Sequence, residues 1–301
     1  MPGHGADVVA YCIKRAPYTV VEITHRFSPN LYARPMPTTP YARPYETGWS
    51  SAQRPAAQAF WNWHDALAAA PELPDARIQA AYEQAQAGEP LRMVPHEVST
   101  AAYEACARHN LNRDYLAAQV RALPQHQPPV RFDTGVDLER FVDRWIVPHG
   151  RLLAGLVPGL DTLKRATDHL SRGFFYTATV VHLPAHLEAN RLYLPHDDLR
   201  HEDLSMWTLR QGTATEPVRK VLWKQMIRAR DALARGHTAL KRLTWQAKWR
   251  LKFWWLGALE LLNEVERRDF DVWSAPITLN RWRTAQVYLQ TYIGRATARM
   301  A

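Results

Sequence analysis

His182 and His186, four residues apart, are the pair in this chain whose type and spacing best suit coordination chemistry. On one helix face such a pair can hold Zn²⁺, but it needs a third ligand, and the sequence offers little beyond Glu188. Pro184 stands between the two histidines and disturbs the helix that would align them. Ordinary hydrogen-bonded histidines and a divergent ligand pocket are the other readings of the pair. Carboxylates at the same spacing would instead hold a hard cation such as Mg²⁺, which prefers oxygen ligands. Asp133 and Asp137 straddle Gly135, as residues at a helix cap do. Glu139/Asp143 and Glu260/Glu264 lie beside Arg140, Arg144 and Arg267, as solvated ion pairs do. Asp197, Asp198, Glu202 and Asp203 read as caps and first-turn charges of a short helix. His64 beside Asp65, and Cys106 near His109, are sequence neighbours with nothing to orient a base. No residue is therefore assigned a catalytic or metal-binding role, and no cofactor is expected.

The second chemical signal is charge. The chain carries a formal net charge of +9. Segment 217–256 holds eleven Lys/Arg and one acidic residue, Asp231, so it accounts for the whole excess. Arg219, Lys220, Lys224, Lys241, Arg242, Lys248, Arg250 and Lys252 are its candidates for contact with an anionic partner. RNA, an acidic membrane leaflet and an acidic protein all fit that chemistry. Within it, WQAKWRLKFWW (245–255) interleaves cations with aromatic rings. Trp245, Trp249 and Lys252 share one helix face, and Lys241, Lys248 and Trp255 lie near another. Rings can stack bases while cations neutralise phosphates, and the same mixture suits a membrane interface. Alternatively the tryptophans are core and the cations a solvated face.

These residues need a scaffold, and the rest of the sequence predicts a helical one. With 301 residues, 47% hydrophobic content and 12 tryptophans, the chain can bury a large core. Its two cysteines, Cys12 and Cys106, form no disulfide framework or metal motif, which favours a reducing compartment. No apolar run is long enough for a transmembrane helix. Residues 1–50 hold five Lys/Arg and three Asp/Glu, a poor mitochondrial presequence that does not exclude import, and no long cleaved leader is expected. Five prolines between 28 and 46 forbid a continuous helix there and predict an extended arm. Helical periodicity begins at Arg54, with Phe60, Trp63 and Leu67 on one face, and recurs over 75–87, 99–110, 112–122, 136–147, 163–182, 216–235, 240–267 and 279–298. Proline and glycine punctuate these windows, including a predicted break at 148–150. The one weak strand candidate is 8–13. The expectation is an all-α protein: a Pro-rich N-terminal arm over 1–50 and one helical domain over 51–301.

Three stretches carry a family resemblance. RFDT at 131–134, LERFVDRW at 138–145 and GRLLAGL at 150–156 are similar to the helix that precedes the second metal helix of squalene/phytoene synthases. RLYLP at 191–195, with DDL and EDLS after it, resembles the exit of that family's second aspartate-rich helix. LNEVERRDFDVW at 262–273 and ITLNRWR at 277–283 resemble its C-terminal signature. The resemblance implies an isoprenoid-synthase-like helical bundle. It also implies an Asp-x-x-Glu-Asp motif that holds Mg²⁺ against a prenyl diphosphate. Here His182 and His186 occupy the aspartate positions, and the helix of the first metal motif falls on the proline-broken stretch 28–46.

RHNLNRDYL at 108–116, PAH at 184–186 and RRDFDVW at 267–273 further resemble a branch of the family that works in mitochondrial complex I assembly. That resemblance implies a catalytically silent assembly factor or scaffold in the mitochondrial matrix, with no enzyme activity. Its client would be respiratory complex I. The basic segment suggests instead a ribonucleoprotein client such as a mitochondrial ribosomal subunit, with rRNA contact and a role in ribosome biogenesis. A homologous partner subunit and a peripheral membrane contact are compatible with either. An active prenyl-diphosphate transferase with a rearranged metal site, or a polyprenyl- or lipid-binding protein, is the alternative.

Overall fold

In the computed structural model, residues 49–293 are described. The arm expected over 28–46 and the strand candidate at 8–13 lie outside the described residues. Within them the chain is helical throughout, as its periodicity predicts: twelve α-helices, two 3₁₀ turns and no strand. An isolated bridge between Val130 and Arg191 is the only β-type pairing among these residues. None of the helices is long and apolar enough to cross a membrane.

Helix α1 (Arg54–Ala68) starts at a proline suited to a first turn and buries Phe60, Trp61, Trp63 and Leu67. Helices α2 (Asp75–Ala87), α3 (His96–Arg108) and α4 (Asp114–Ala122) follow. Gly88 closes α2 at φ 79°, the left-handed conformation that glycine adopts without a Cβ penalty. Helix α5 (Gly135–Gly155) is capped by Thr134, whose hydroxyl accepts from the Asp137 N–H. The predicted break at 148–150 is absent: α5 runs straight through Pro148. Residues 145–150 are all buried, so packing on both flanks holds a proline that would interrupt an isolated helix.

Helices α6 (Lys164–Val181) and α7 (Leu183–Glu188) meet at His182, which ends one and starts the other. Short helices α8 (His196–His201) and α9 (Met206–Arg210) lead to α10 (Glu216–His237). A 3₁₀ turn over Thr238–Arg242 and extended Leu243 then delay α11 (Trp245–Arg267), later than the window from 240 predicts. Helix α12 (Arg281–Ile293) packs on α11.

The most extensive helix pair is α6 with α10, while α4 and α6 both pack on α5. Reciprocal glycine notches let α6 and α10 approach closely. A Cβ on Gly173 would lie 2.7 Å from the Leu233 side chain, and one on Gly236 would lie 2.5 Å from Leu170. Gly150 does the same for α5, where a Cβ would collide with the Ser171 hydroxyl on α6. One hydrophobic cluster results, with Trp61, Trp63, Phe141, Trp145, Phe174 and Tyr193 among its fully buried members.

Candidate functional site

The junction of α6 and α7 places the two histidines singled out from the sequence. Pro184 lacks a donor and sits in the first turn of α7, so the backbone restarts there. The His186 N–H still donates to the His182 carbonyl at 3.1 Å, which keeps the two side chains in one neighbourhood. Their ring centroids are 6.3 Å apart and nearly perpendicular, at 75°. His186 is buried, and His182 is only partly reached by solvent. Burial pushes His182 down to about 4. Burial, then the neighbouring His182 and Arg191, push His186 well below the usual imidazole range. Both rings are neutral at physiological pH.

The fold brings other histidines to the same centre, from segments far apart in sequence. His126, after the 3₁₀ turn Leu123–Gln125, stacks on Trp145 of α5 at 4.5 Å. Its Nδ1 lies 3.1 Å from the Tyr193 hydroxyl, and the Tyr193 ring meets His186 edge-on at 5.2 Å. His64 of α1 stacks on His149 of α5 at 4.3 Å, and its Nδ1 donates to Gln119 Oε1 at 2.8 Å. Trp61 caps the row by meeting His149 edge-on at 4.4 Å. Arg191 enters from the other side, buried, and donates to the Ala68 carbonyl at the end of α1 at 3.0 Å. Desolvation, then the charge of Arg191, keep His126 neutral as well. The linear sequence offers His64 only Asp65 as a charged neighbour. The apolar and aromatic settings WNWHDAL and IVPHG were the signals that these histidines are interior.

The basic segment is less available than its composition suggests. Lys252 is not on the surface: it is 9% exposed, and its Nζ donates to the Gln290 carbonyl on α12 at 3.2 Å. Its aliphatic stem allows that burial, and spacing along α11 could not reveal the acceptor. Arg250 turns inward over the Trp49 ring at 5.3 Å and donates to Gln53 Oε1. Arg219 pairs with Asp269 at 2.7 Å and Lys220 with Glu202 at 3.4 Å. Lys224 and Arg228 both reach Asp198, the latter at 2.5 Å. Asp198 lies in the first turn of α8, as the sequence predicts, and is in addition a buried anchor between α8 and α10. Burial raises its carboxyl, but hydrogen bonds from Arg228 and Lys224 outweigh that and hold it below the ordinary carboxylate value. Lys241 and Arg242 stay exposed and Lys248 half-buried, with no carboxylate partner among the described residues.

Residues 50–283 match squalene/phytoene synthases. The chain belongs to the squalene/phytoene synthase family. Solved structures of the same fold agree. Squalene synthase HpnC from Alicyclobacillus acidocaldarius is similar at 20% identity with a TM-score of 0.64, over 84% of this chain and 95% of that one. A dehydrosqualene synthase in complex with ligand is similar at 13% identity with a TM-score of 0.65, over 91% and 94%. YisP from Bacillus subtilis gives 14% identity and a TM-score of 0.55, over 80% and 99%. At these identities the likeness shows the isoprenoid-synthase fold. No curated protein sequence matches the chain significantly.

The Mg²⁺ that the family resemblance implies does not fit the residues of this squalene/phytoene synthase family member at 182 and 186. Mg²⁺ requires oxygen donors with room for its own waters. The chain presents two desolvated imidazoles whose neighbours are Tyr193, His126 and packed aromatic rings. Among the described residues, no group of three or more His, Cys, Asp or Glu is placed to hold a metal ion. The carboxylate pairs are spent elsewhere. Asp137 serves the α5 cap, Asp143 pairs with Arg172 at 2.7 Å, and Glu260 pairs with Arg267 at 2.6 Å.

Proposed function

We propose that this protein is a squalene/phytoene synthase family member that no longer transfers prenyl groups and serves as an assembly factor or scaffold. The observation that carries the reading is the bundle centre. Where the resemblance implies metal-binding aspartates, His182 and the buried His186 stand neutral against an aromatic stack. Prenyl transfer of the family's kind needs diphosphate charge neutralised by metal held on carboxylates, and neutral imidazoles packed against rings supply neither charge nor oxygen.

A mitochondrial matrix location and a client under construction follow from the resemblance of 108–116, 184–186 and 267–273 to the complex I assembly branch. A ribosomal subunit is the second client, favoured by exposed Lys241 and Arg242. Purified protein incubated with farnesyl or geranylgeranyl diphosphate and Mg²⁺ is expected to release no diphosphate above a heat-killed control. Release would overturn the reading in favour of an active transferase. Co-purification with mass spectrometry and RNA sequencing identifies the client. Complex I subunits that remain after nuclease digestion support the first client, and ribosomal proteins with rRNA support the second. A co-purifying polyprenyl lipid without either would support a lipid-binding protein instead.

A further inference from the structure

A cleft of about 490 Å³ opens beside the N-terminal half of α5, lined by none of the stacked histidines and by no residue of segment 217–256. That volume is in the range of small-molecule sites, roughly 300–1,000 Å³. Its chemistry is specific. Arg131, Arg140 and Arg144 line it together with Asp133, Asp137 and Gln125. Asp137 is already committed, accepting from the Thr134 hydroxyl at 2.7 Å and from Arg140 at 3.2 Å. Arg131 and Arg144 are exposed and have no carboxylate partner among the described residues. The cleft therefore presents two uncommitted guanidiniums, a side-chain amide and one further carboxylate, Asp133.

The wall that carries these groups is fixed. The Phe132 carbonyl accepts from His196 at 2.8 Å, and the Asp133 carbonyl accepts from Asp197 at 3.0 Å. On the other side, Gln127 donates to the Pro71 carbonyl at 3.0 Å. Phe132 is itself buried beneath that wall. Arg131 and Arg144 thus rise from a rigid segment and a long helix, not from a loose loop.

We infer that this cleft binds a nucleoside phosphate, free or as one nucleotide of a single-stranded RNA. Guanidinium groups suit phosphate because their fork of donors matches its oxygens, and their planes stack on bases. For a bare inorganic anion Asp133 offers no favourable contact. A base turns that carboxylate into a partner, since it accepts from an exocyclic amino group while the Gln125 amide both donates and accepts. The inference does not depend on the assembly-factor reading, because it uses neither the basic segment nor the centre of the bundle.

Calorimetry with nucleoside monophosphates and anisotropy with a labelled short single-stranded RNA test it on the full chain. The double variant Arg131→Gln/Arg144→Gln should weaken binding at least tenfold, because both phosphate contacts are lost. It should leave the unfolding temperature unchanged, because both side chains are exposed. Lys241→Gln/Arg242→Gln should leave mononucleotide binding unchanged. Gln125→Ala should alter the ranking of the four bases, which a purely electrostatic surface would not do. Mononucleotide binding as tight as RNA binding assigns a free nucleotide. RNA binding that depends on Arg131 and Arg144, with mononucleotides far weaker, assigns a strand. The inference is overturned if neither ligand binds or if the Arg131/Arg144 variant binds as well as the natural chain. It is equally overturned if polyglutamate competes as effectively as nucleotide.

Discussion

His126, His182 and His186 sit where burial favours the uncharged ring. Their ordinary value is 6.5, and the folded value of His182 is about 4. As pH falls through that window the unfolded chain takes up protons that the native centre refuses, so stability is full above 6.5 and declines below it. Each ring that stays neutral contributes a slope of about 1.4 kcal/mol per pH unit. Urea midpoints measured at about pH 7.5, 6.5 and 5.5 should fall along that series; a flat series would mean that these rings are solvated. Replacing both His182 and His186 by Asp should create no Mg²⁺-dependent diphosphate release. Stretch 28–46, where the resemblance puts the opposing cluster, contains only Glu46 as a carboxylate. The double variant should also melt earlier, because a desolvated carboxylate replaces a neutral ring. Asp198 is the converse case, a buried charge with two partners. Asp198→Asn should cost roughly 2–3 kcal/mol, less than a fully buried pair, because Lys224 and Arg228 regain water. Chemical denaturation checks it, and a change under about 0.5 kcal/mol would reduce the anchor to a surface pair.

At the level of helices, the close contact of α6 and α10 depends on two positions without side chains. Gly173→Ala or Gly236→Ala gains helix propensity, yet each new methyl meets a leucine whose backbone nitrogen is 3.0 Å away and must move too. Overpacking should win, with a loss of about 1–3 kcal/mol in equilibrium unfolding. Trp255→Ala should cost more, about 3–5 kcal/mol, since it opens a large void and removes the Nε1 hydrogen bond to the Leu233 carbonyl at 3.0 Å. The helices themselves were legible because their periodicity and their proline and glycine stops are local properties. The spacing of Phe60, Trp63 and Leu67 predicts one face of α1, and they are buried together. Pro148 misled for the opposite reason. Its cost to α5 is local, but the packing that offsets it comes from other helices and leaves no mark in the sequence. Helix α11 starts later than the periodicity from 240 predicts because the residues before it wind as a 3₁₀ turn, which shares much of the same spacing.

For the molecule as a whole, a count of basic residues is a poor guide to surface charge. Arg219, Lys220, Lys224, Arg228 and Arg230 of segment 217–256 are matched by carboxylates brought from 198–202 and 266–269, a pairing that only the tertiary fold creates. Lys241 and Arg242 are both exposed and without a carboxylate partner among the described residues. Lys241→Glu with Arg242→Glu should therefore weaken association with an RNA-containing client and flatten its salt dependence, because fewer counterions are released on binding. Helicity should be unchanged. Pull-down across a salt series, with and without nuclease, measures this; an unaltered salt slope would rule out that stretch as a contact. The imidazole centre was illegible for a similar reason. Its rings come from α1, the turn after α4, α5 and α7, and nothing in the linear order foretells that they stack. That stack also bears on what sequence change can do to this bundle. Trp61, Trp145, His64, His126 and His149 support one another by contact, so no single replacement can hollow the centre gradually. Removing one ring leaves a void, and inserting one carboxylate leaves a buried charge; either step comes at a loss of stability. A chain with such an interior faces a valley on any stepwise route to an open, acid-lined chamber, so its tolerated variation is channelled to its outer surface.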